Sequence, residues 1–256
     1  DERMGRIISV SNQKGGVGKT TTTINLSAFL AEKGRRVLII DIDPQANAGY
    51  GLGINVEDAD NTLYEVLIGQ VDIRQAIYKT SIDNLFIIPS NIHLSGAQMD
   101  LLELEGREFV LKKAVAPVKD DFDFIFIDCP PSLGVLTLNS LVAADSVMIP
   151  LQCEYYALEG LSQLLRIISM VQESLNRNVK IEGVVLTMYD SRTNPSQQVV
   201  SDVRDFFKDK VFRSIVPRNV RLSEAPSFGK PIGVYDRHCV GSERYESLAE
   251  EVLNNG

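Results

Sequence analysis

The sequence predicts an α/β fold built on one doubly wound, mostly parallel β-sheet. Apolar, β-branched runs alternate along the chain with segments of helical periodicity, which is the order of repeated βαβ units. The run Val37–Asp41 is apolar up to its final aspartate, a pattern typical of a strand buried on both faces. A glycine-rich segment at residues 12–21 follows the first apolar run and opens a helix, as a phosphate-binding loop does.

The glycine-rich segment reads NQKGGVGKTT and predicts a nucleotide-binding loop. Glycines allow backbone N–H groups to turn toward phosphate oxygens, and the helix that opens at Lys19 adds its positive end. Lys19 is expected on the β- and γ-phosphates of ATP, with the Thr20 hydroxyl on Mg²⁺. The motif departs from the usual pattern because Gln13 replaces the first glycine and a second lysine, Lys14, opens the loop. The predicted nucleotide contacts here are Lys14, Gly15, Gly16, Val17, Gly18, Lys19, Thr20 and Thr21.

The remaining elements follow from periodicity and from the polar residues that bound each run. Strands are predicted at residues 7–10, 37–41, 85–89, 124–128, 146–150, 181–188 and 211–217. Helices are predicted at residues 19–33, 94–105, 108–115, 135–144, 154–175, 195–207 and 242–253. Two short helical pieces fall within residues 63–77, and residues 49–59 are predicted to form a loop.

Two strands are expected to deliver carboxylates to the edge of the sheet where doubly wound folds bind ligands. Asp41 and Asp43 lie at the end of the second strand, where Pro44 favours a break into a mobile segment. An ordinary Asp-Pro turn is the alternative interpretation of Asp41. Asp128 closes the apolar run of residues 124–128 and is predicted to hold Mg²⁺ through a water molecule. Cys129, which follows it, is interpreted as a small buried hydrophobic residue.

The motif KGGVGKTT resembles the deviant Walker A motif of the ParA/MinD family of P-loop ATPases, and the resemblance extends over nearly the whole chain. It implies that Lys14 reaches the nucleotide of a partner subunit and that Asp43 polarises the attacking water. Residues 130–134 resemble the family's switch II, which senses the γ-phosphate. Residues 217–227 match the loop that covers the adenine, which implies contacts from Pro217 and Asn219, with Met188 as an apolar neighbour. The catalytic residues implied are Lys14, Lys19 and Asp43.

Within that family, the chain resembles the Soj/ParA partition ATPases. This resemblance implies weak, partner-stimulated ATP hydrolysis and an ATP-bound homodimer that binds DNA without sequence preference. It also implies a ParB/Spo0J-like partner and a role in partitioning a chromosome or plasmid. A MinD-like, membrane-associated positioning ATPase is the alternative, but the predicted last helix has an acidic polar face where a membrane-binding helix needs a basic one. A reductase resembling the nitrogenase iron protein would need cluster cysteines that this sequence does not provide.

The formal net charge of −8 requires any DNA contact to come from a local basic surface. The candidates are Arg192, after the sixth predicted strand, and Arg218 and Arg221, after the seventh. The two strands are expected to be neighbours, so that their following loops form one patch. The alternative is that these arginines pair with nearby acids such as Asp190 and Glu224.

Length and composition favour one domain over residues 1–256, with 44% hydrophobic and 23% charged residues. Three cysteines give neither an even disulfide framework nor a C-x-x-C pair, which is typical of a reducing compartment. No apolar run suggests a membrane span and no signal peptide precedes Met4, so a cytoplasmic, nucleoid-associated protein is expected. Met4 is a candidate natural start, and the expected small ParA type has no DNA-reading segment ahead of the first strand.

Overall fold

The structure is a computed structural model that describes residues 4–255. The interpretation of residues 1–3 as an addition ahead of the natural start lies outside the described residues.

A seven-stranded sheet forms the centre of the molecule, with strand order β3-β4-β2-β5-β1-β6-β7. The strands are β1 (Arg6–Val10), β2 (Val37–Asp41), β3 (Tyr78–Lys79), β4 (Leu85–Ile88), β5 (Phe124–Asp128), β6 (Ser146–Gln152) and β7 (Lys180–Thr187). Every pair is parallel except β3 with β4. The predicted doubly wound, mostly parallel α/β fold is therefore confirmed.

Helices cover both faces of the sheet, which explains why its central strands are apolar throughout. They are α1 (Lys19–Glu32), α2 (Asn47–Gly51), α3 (Leu63–Leu67), α4 (Leu94–Leu102), α5 (Val110–Val115), α6 (Val135–Ala143), α7 (Ser162–Ser174), α8 (Asn194–Phe207), α9 (Val220–Glu224), α10 (Ile232–Tyr235) and α11 (Val240–Asn254). Within residues 4–255, no helix has the length and apolar character needed to cross a membrane.

Neighbouring residues of each strand enter different cores. Ile8 and Ile39 pack on the face that α1 and α11 cover, whereas Ile7 and Ile40 pack on the opposite face. The last helix is amphipathic as predicted, and its buried Tyr245 hydroxyl lies 2.9 Å from the Thr22 hydroxyl on α1. This buried contact joins the first and the last helix on one face of the sheet.

The predicted seventh strand at residues 211–217 is wrong. The segment runs beside β7 but forms only isolated bridges, Val211 with Val184 of β7 and Pro217 with Tyr189 just after that strand. The ladder is interrupted because the backbone N–H groups of Arg213 and Ser214 donate to the Glu251 carboxylate of α11, at 2.8 Å and 2.7 Å, and not to β7. The seventh strand of the sheet is instead β3, a two-residue antiparallel edge that the sequence analysis missed.

Two other predicted segments, the loop at residues 49–59 and the helix from residue 154, differ from expectation. The predicted loop at residues 49–59 overlaps α2, which begins at Asn47, and includes a 3-10 turn at Val56–Asp58. The helix predicted from residue 154 begins at Ser162, after a 3-10 turn at Glu159–Leu161. Tyr156 takes a left-handed φ of 59°, which an α-helix cannot continue through.

Candidate nucleotide site

The carboxyl ends of β1, β2 and β5 meet at one edge of the sheet and define the site. Asp128, the last residue of β5, lies in register with Val10 on one side and with Asp41 on the other. The glycine-rich loop follows Val10 directly. Strand order reverses beside β1, where chain connections leave in opposite directions, and ligands of doubly wound sheets bind at such a point.

The loop between β1 and α1 has the backbone that its glycines predict. Gly16 and Gly18 adopt φ values of 72° and 87°, a left-handed region that favours glycine. Lys19 is 7% exposed, and burial lowers the pKa of its ammonium group although Asp128 nearby opposes that shift. Its Nζ donates a hydrogen bond of 2.7 Å to the Lys14 carbonyl oxygen. A phosphate at this loop would therefore compete with a backbone carbonyl for the same ammonium.

Thr20 and Asp128 form a pair suited to a hard divalent cation. The Thr20 hydroxyl donates to Asp128 Oδ2 at 2.7 Å, while Asp128 Oδ1 is buried and finds no hydrogen-bond partner among the described residues. Burial raises the pKa of the Asp128 carboxyl to about 7; the Thr20 hydrogen bond opposes this rise and the charge of Asp43 adds to it. A hydroxyl beside a buried carboxylate with an unpaired oxygen fits the oxygen ligands that Mg²⁺ prefers.

The two aspartates after β2 differ in surroundings. Asp41 is fully buried, accepts hydrogen bonds from the backbone N–H of Asp43 and Ala48, and has its pKa raised well above the usual range by burial and by Asp128. It anchors the turn that carries Asp43, in agreement with the turn interpretation. Asp43 is 8% exposed, lies close enough to contribute to the pKa of Lys19, and accepts from the Gln45 N–H at 3.0 Å.

A cavity of about 310 Å³ opens beside the loop and brings together the residues predicted to contact adenine. Met188, Pro217 and Asn219 line it with Gly18 and Thr21 of the loop and first helix. The wall is therefore continuous from the phosphate loop to the segment after β7.

Further residues of this cavity were not identified from sequence. Thr187 lines it and donates its hydroxyl to the Val17 carbonyl at 2.8 Å, and Tyr245 reaches it from α11. The Asn219 side chain accepts from the Leu222 N–H at 3.2 Å and so caps α9. Tyr245 could not be found from sequence because it reaches the site from the other end of the chain.

Lys14 lies at the rim of the loop and contacts its own subunit. Its Nζ forms an ion pair with Glu154, and the neighbouring Gln13 side chain donates to the Gly160 carbonyl. Both partners belong to the segment between β6 and α7. The partner-subunit contact implied for Lys14 stays a prediction.

Four arginines line a second cavity of about 510 Å³ after β7. Arg192 and Arg218, both predicted DNA contacts, lie there with Arg213 and Arg244, which the sequence analysis did not single out. Asp190 pairs with Arg192 at 2.8 Å, as the alternative interpretation anticipated, and hydrogen bonds from Arg192 lower the pKa of Asp190 to about 2. This arginine cavity has four cations and one carboxylate among its lining side chains.

The third predicted DNA contact, Arg221, lies outside the lining of the arginine cavity. Its guanidinium pairs with Glu224 at 3.1 Å and with Asp236 at 3.3 Å. The alternative ion pairing therefore describes Arg221 in this structure.

The fold and the site define a P-loop nucleotide-binding protein of the α/β type. A family profile described as an AAA domain matches residues 5–181. The chain is 55% identical over 253 residues to the sporulation initiation inhibitor protein Soj of Bacillus subtilis, covering 99% of this chain and 100% of that protein. It is 55% identical over 250 residues to the chromosome partitioning protein ParA of Myxococcus xanthus, covering 98% and 88%. The chain belongs to the ParA/MinD family of P-loop ATPases, on its Soj/ParA branch.

Two solved structures share the whole fold. One, named a cobyrinic acid a,c-diamide synthase from Mycobacterium smegmatis and solved with ADP and magnesium, has a TM-score of 0.86 and 41% identity, covering 98% of this chain and 95% of that chain. The other, the cell division ATPase MinD of Pyrococcus furiosus, has a TM-score of 0.82 and 30% identity, covering 99% and 100%. MinD is thus a more distant relative than Soj and ParA.

Proposed function

We propose that the protein is a Mg²⁺-dependent ATPase that acts in chromosome or plasmid partitioning as a single domain over residues 1–256. The observation that carries this proposal is the meeting of Lys19, Thr20 and Asp128 beneath a glycine loop that adjoins the cavity of about 310 Å³. The names of the Soj and ParA relatives and the ADP and magnesium in the mycobacterial structure support it.

Each side chain has a role that its position supports. Lys19 binds the β- and γ-phosphates, and Thr20 and Asp128 hold Mg²⁺, with Asp128 acting through water. Bound Mg²⁺ would neutralise negative charge on the phosphates. Asp43 orients the attacking water, because its carboxylate lies near Lys19 on a turn that Asp41 anchors. Met188, Pro217 and Asn219 contact the adenine.

ATP brings two subunits together, and Lys14 of each contacts the nucleotide of the other. The paired subunits bind DNA without sequence preference through the arginine cavity, and a ParB/Spo0J-like partner stimulates weak hydrolysis and so ends the bound state. The protein is cytoplasmic and associates with the nucleoid. A MinD-like membrane role has less support, since exposed glutamates such as Glu243 and Glu250 occupy the polar face of α11.

The Asp43→Ala variant tests the proposed chemistry. It should bind Mg-ATP with wild-type affinity, because Lys19, Thr20 and Asp128 remain, but its turnover should fall at least about a hundred-fold because no group orients the water. It should therefore accumulate as an ATP-bound dimer in light scattering. Asp60→Ala, an exposed aspartate in a neighbouring loop, is the matched control and should behave as wild type. If the Asp43 variant releases phosphate at the wild-type rate, Asp43 does not orient the attacking water.

A further inference from the structure

Lys14 is restrained twice within its own subunit. Its carbonyl oxygen accepts the 2.7 Å hydrogen bond from Lys19 Nζ, and its ammonium group pairs with the Glu154 carboxylate. The first restraint competes directly with nucleotide, because Lys19 is the proposed phosphate ligand. The second involves no ligand of the subunit's own nucleotide, so it would persist after that nucleotide binds.

Several contacts hold the loop and the Glu154 segment against each other. Asn12 donates its side-chain N–H to the Pro150 carbonyl at 2.8 Å and accepts from the Lys14 N–H at 3.0 Å. Gln13 donates to the Gly160 carbonyl, so residues on both sides of Glu154 contact the loop. Two loop side chains, those of Asn12 and Gln13, thus keep the chain on either side of Glu154 close to Lys14.

The ion pair between Lys14 and Glu154 can shift an equilibrium measurably, yet it is weak enough to be replaced by another contact of Lys14. The Lys14 side chain is 51% exposed and that of Glu154 is 35% exposed, so water screens the pair without abolishing it. An exposed pair of this kind shifts an equilibrium by about two- to five-fold.

We propose that Glu154 is a positioning residue that holds Lys14 inside its own subunit and thereby opposes the pairing of two subunits. The inference rests on the proposed function, in which Lys14 must reach the nucleotide of the partner. When two subunits pair, Lys14 of each subunit gives up its ion pair with Glu154 and contacts the nucleotide of the other subunit. Because two such exchanges occur per dimer, the two opposing effects multiply.

The test compares Glu154→Gln with wild type, and Glu159→Gln is the matched control because Glu159 is an exposed glutamate of the same segment. With saturating Mg-ATP, Glu154→Gln should lower the dimer dissociation constant by about ten-fold in sedimentation, from about three-fold per subunit. ATP affinity measured at dilutions where the protein is monomeric should not change. An unchanged or larger dimer dissociation constant would overturn the proposal, since Glu154 would then either have no effect on pairing or stabilise the dimer.

A second measurement needs no dimer. Protein prepared without nucleotide is treated briefly with acetic anhydride, and acetylation of Lys14 is quantified by mass spectrometry against Lys112, an exposed lysine on α5. Glu154→Gln should raise the labelling of Lys14 several-fold and leave Lys112 unchanged. Equal labelling in the two proteins would show that Glu154 does not hold Lys14. If Lys14 is labelled less in wild type than in Glu154→Gln but wild type stays monomeric with ATP, the proposed ATP-driven pairing of subunits would be wrong while the Glu154 contact would stand.

Discussion

Lys19, Asp41 and Asp128 are buried side chains whose pKa values shift in opposite directions for one reason. Burial penalises any charge, so it lowers the pKa of the lysine and raises the pKa of both aspartates. Asp128 and Asp43 oppose the shift at Lys19, while Asp43 adds to the shift at Asp128. Phosphates bound beside Lys19 would add further negative charge and favour its protonated form. The pKa values of these side chains therefore depend on which charged groups, such as phosphates, bind beside them.

The three cysteines should differ in reactivity for the same reason. Burial raises the pKa of the Cys153 thiol to about 12 and also raises that of Cys129, so both stay neutral thiols at pH 8. Cys239 is only partly buried. Because the thiolate is the reactive form, iodoacetamide at pH 8 should modify Cys239 first in the folded protein and all three in urea. Peptide mass spectrometry measures the order, and rapid modification of Cys153 in the folded chain would contradict it.

At the scale of elements, the segment after α8 packs against β7 without becoming a strand. Phe212 donates its N–H to Val184, and Val216 donates to Leu186, so pairing is real but interrupted. Gly183 makes the close approach possible, because a Cβ at this position would lie 2.5 Å from the Phe212 ring and 2.8 Å from the Lys210 carbonyl oxygen. This glycine is therefore required by packing and not by its backbone angles.

Gly183→Ala should destabilise the protein by about 1–3 kcal/mol, because the added methyl group forces Phe212 and the backbone at Lys210 apart. Gly96→Ala is the control, since nothing lies within 4 Å of the added Cβ and the residue is inside α4. That change should leave stability equal or raise it by about 0.5–1 kcal/mol through better helix propensity. Urea unfolding followed by circular dichroism measures both. Equal midpoints for wild type and Gly183→Ala would refute the packing argument.

The sequence predicted those elements whose pattern depends on burial alone. Residues 37–40 and 124–127 are continuously apolar because helices cover both faces of the sheet, and the aspartates that follow them mark the binding edge. Residues 211–217 are also rich in apolar residues, but they lie at the edge of the sheet beside β7. There, the bonding partners of individual backbone N–H groups determine whether a regular strand forms. Contacts between distant parts of the chain that no motif marks were beyond prediction. The ion pair of Glu154 with Lys14 is such a contact, and the placement of Arg213 and Arg244 around one cavity is another case.

At the scale of the whole molecule, charge is distributed unevenly. The chain carries a formal net charge of −8, yet four arginines line one cavity after β7. Pro217 and Arg218 line both this cavity and the cavity proposed for adenine, so the two share a wall. A nucleic acid would meet a local cationic surface close to the nucleotide, while the remaining surface repels it at long range.

DNA affinity should require ATP, ignore sequence and fall steeply with salt. Arg218→Glu should weaken binding and make the slope of log affinity against log salt shallower by about two, because each subunit of a dimer loses one phosphate contact. Arg177→Glu makes the same charge change in the exposed connection before β7, at the opposite end of that strand, and is the control. Fluorescence anisotropy with a short duplex measures both. An Arg218 variant that binds as tightly as the Arg177 variant would exclude the arginine cavity.

The two edges of the sheet have a consequence for how copies of the chain can associate. A sheet grows by strand addition only where an edge offers a run of unpaired backbone groups. One edge here is β3, which is two residues long, and the other is bridged by a segment that ends at Pro217. Within residues 4–255, neither edge presents a long run of unpaired backbone groups to an incoming strand. The paired subunits proposed above would therefore meet through loops and side chains and not by extending one sheet into the next.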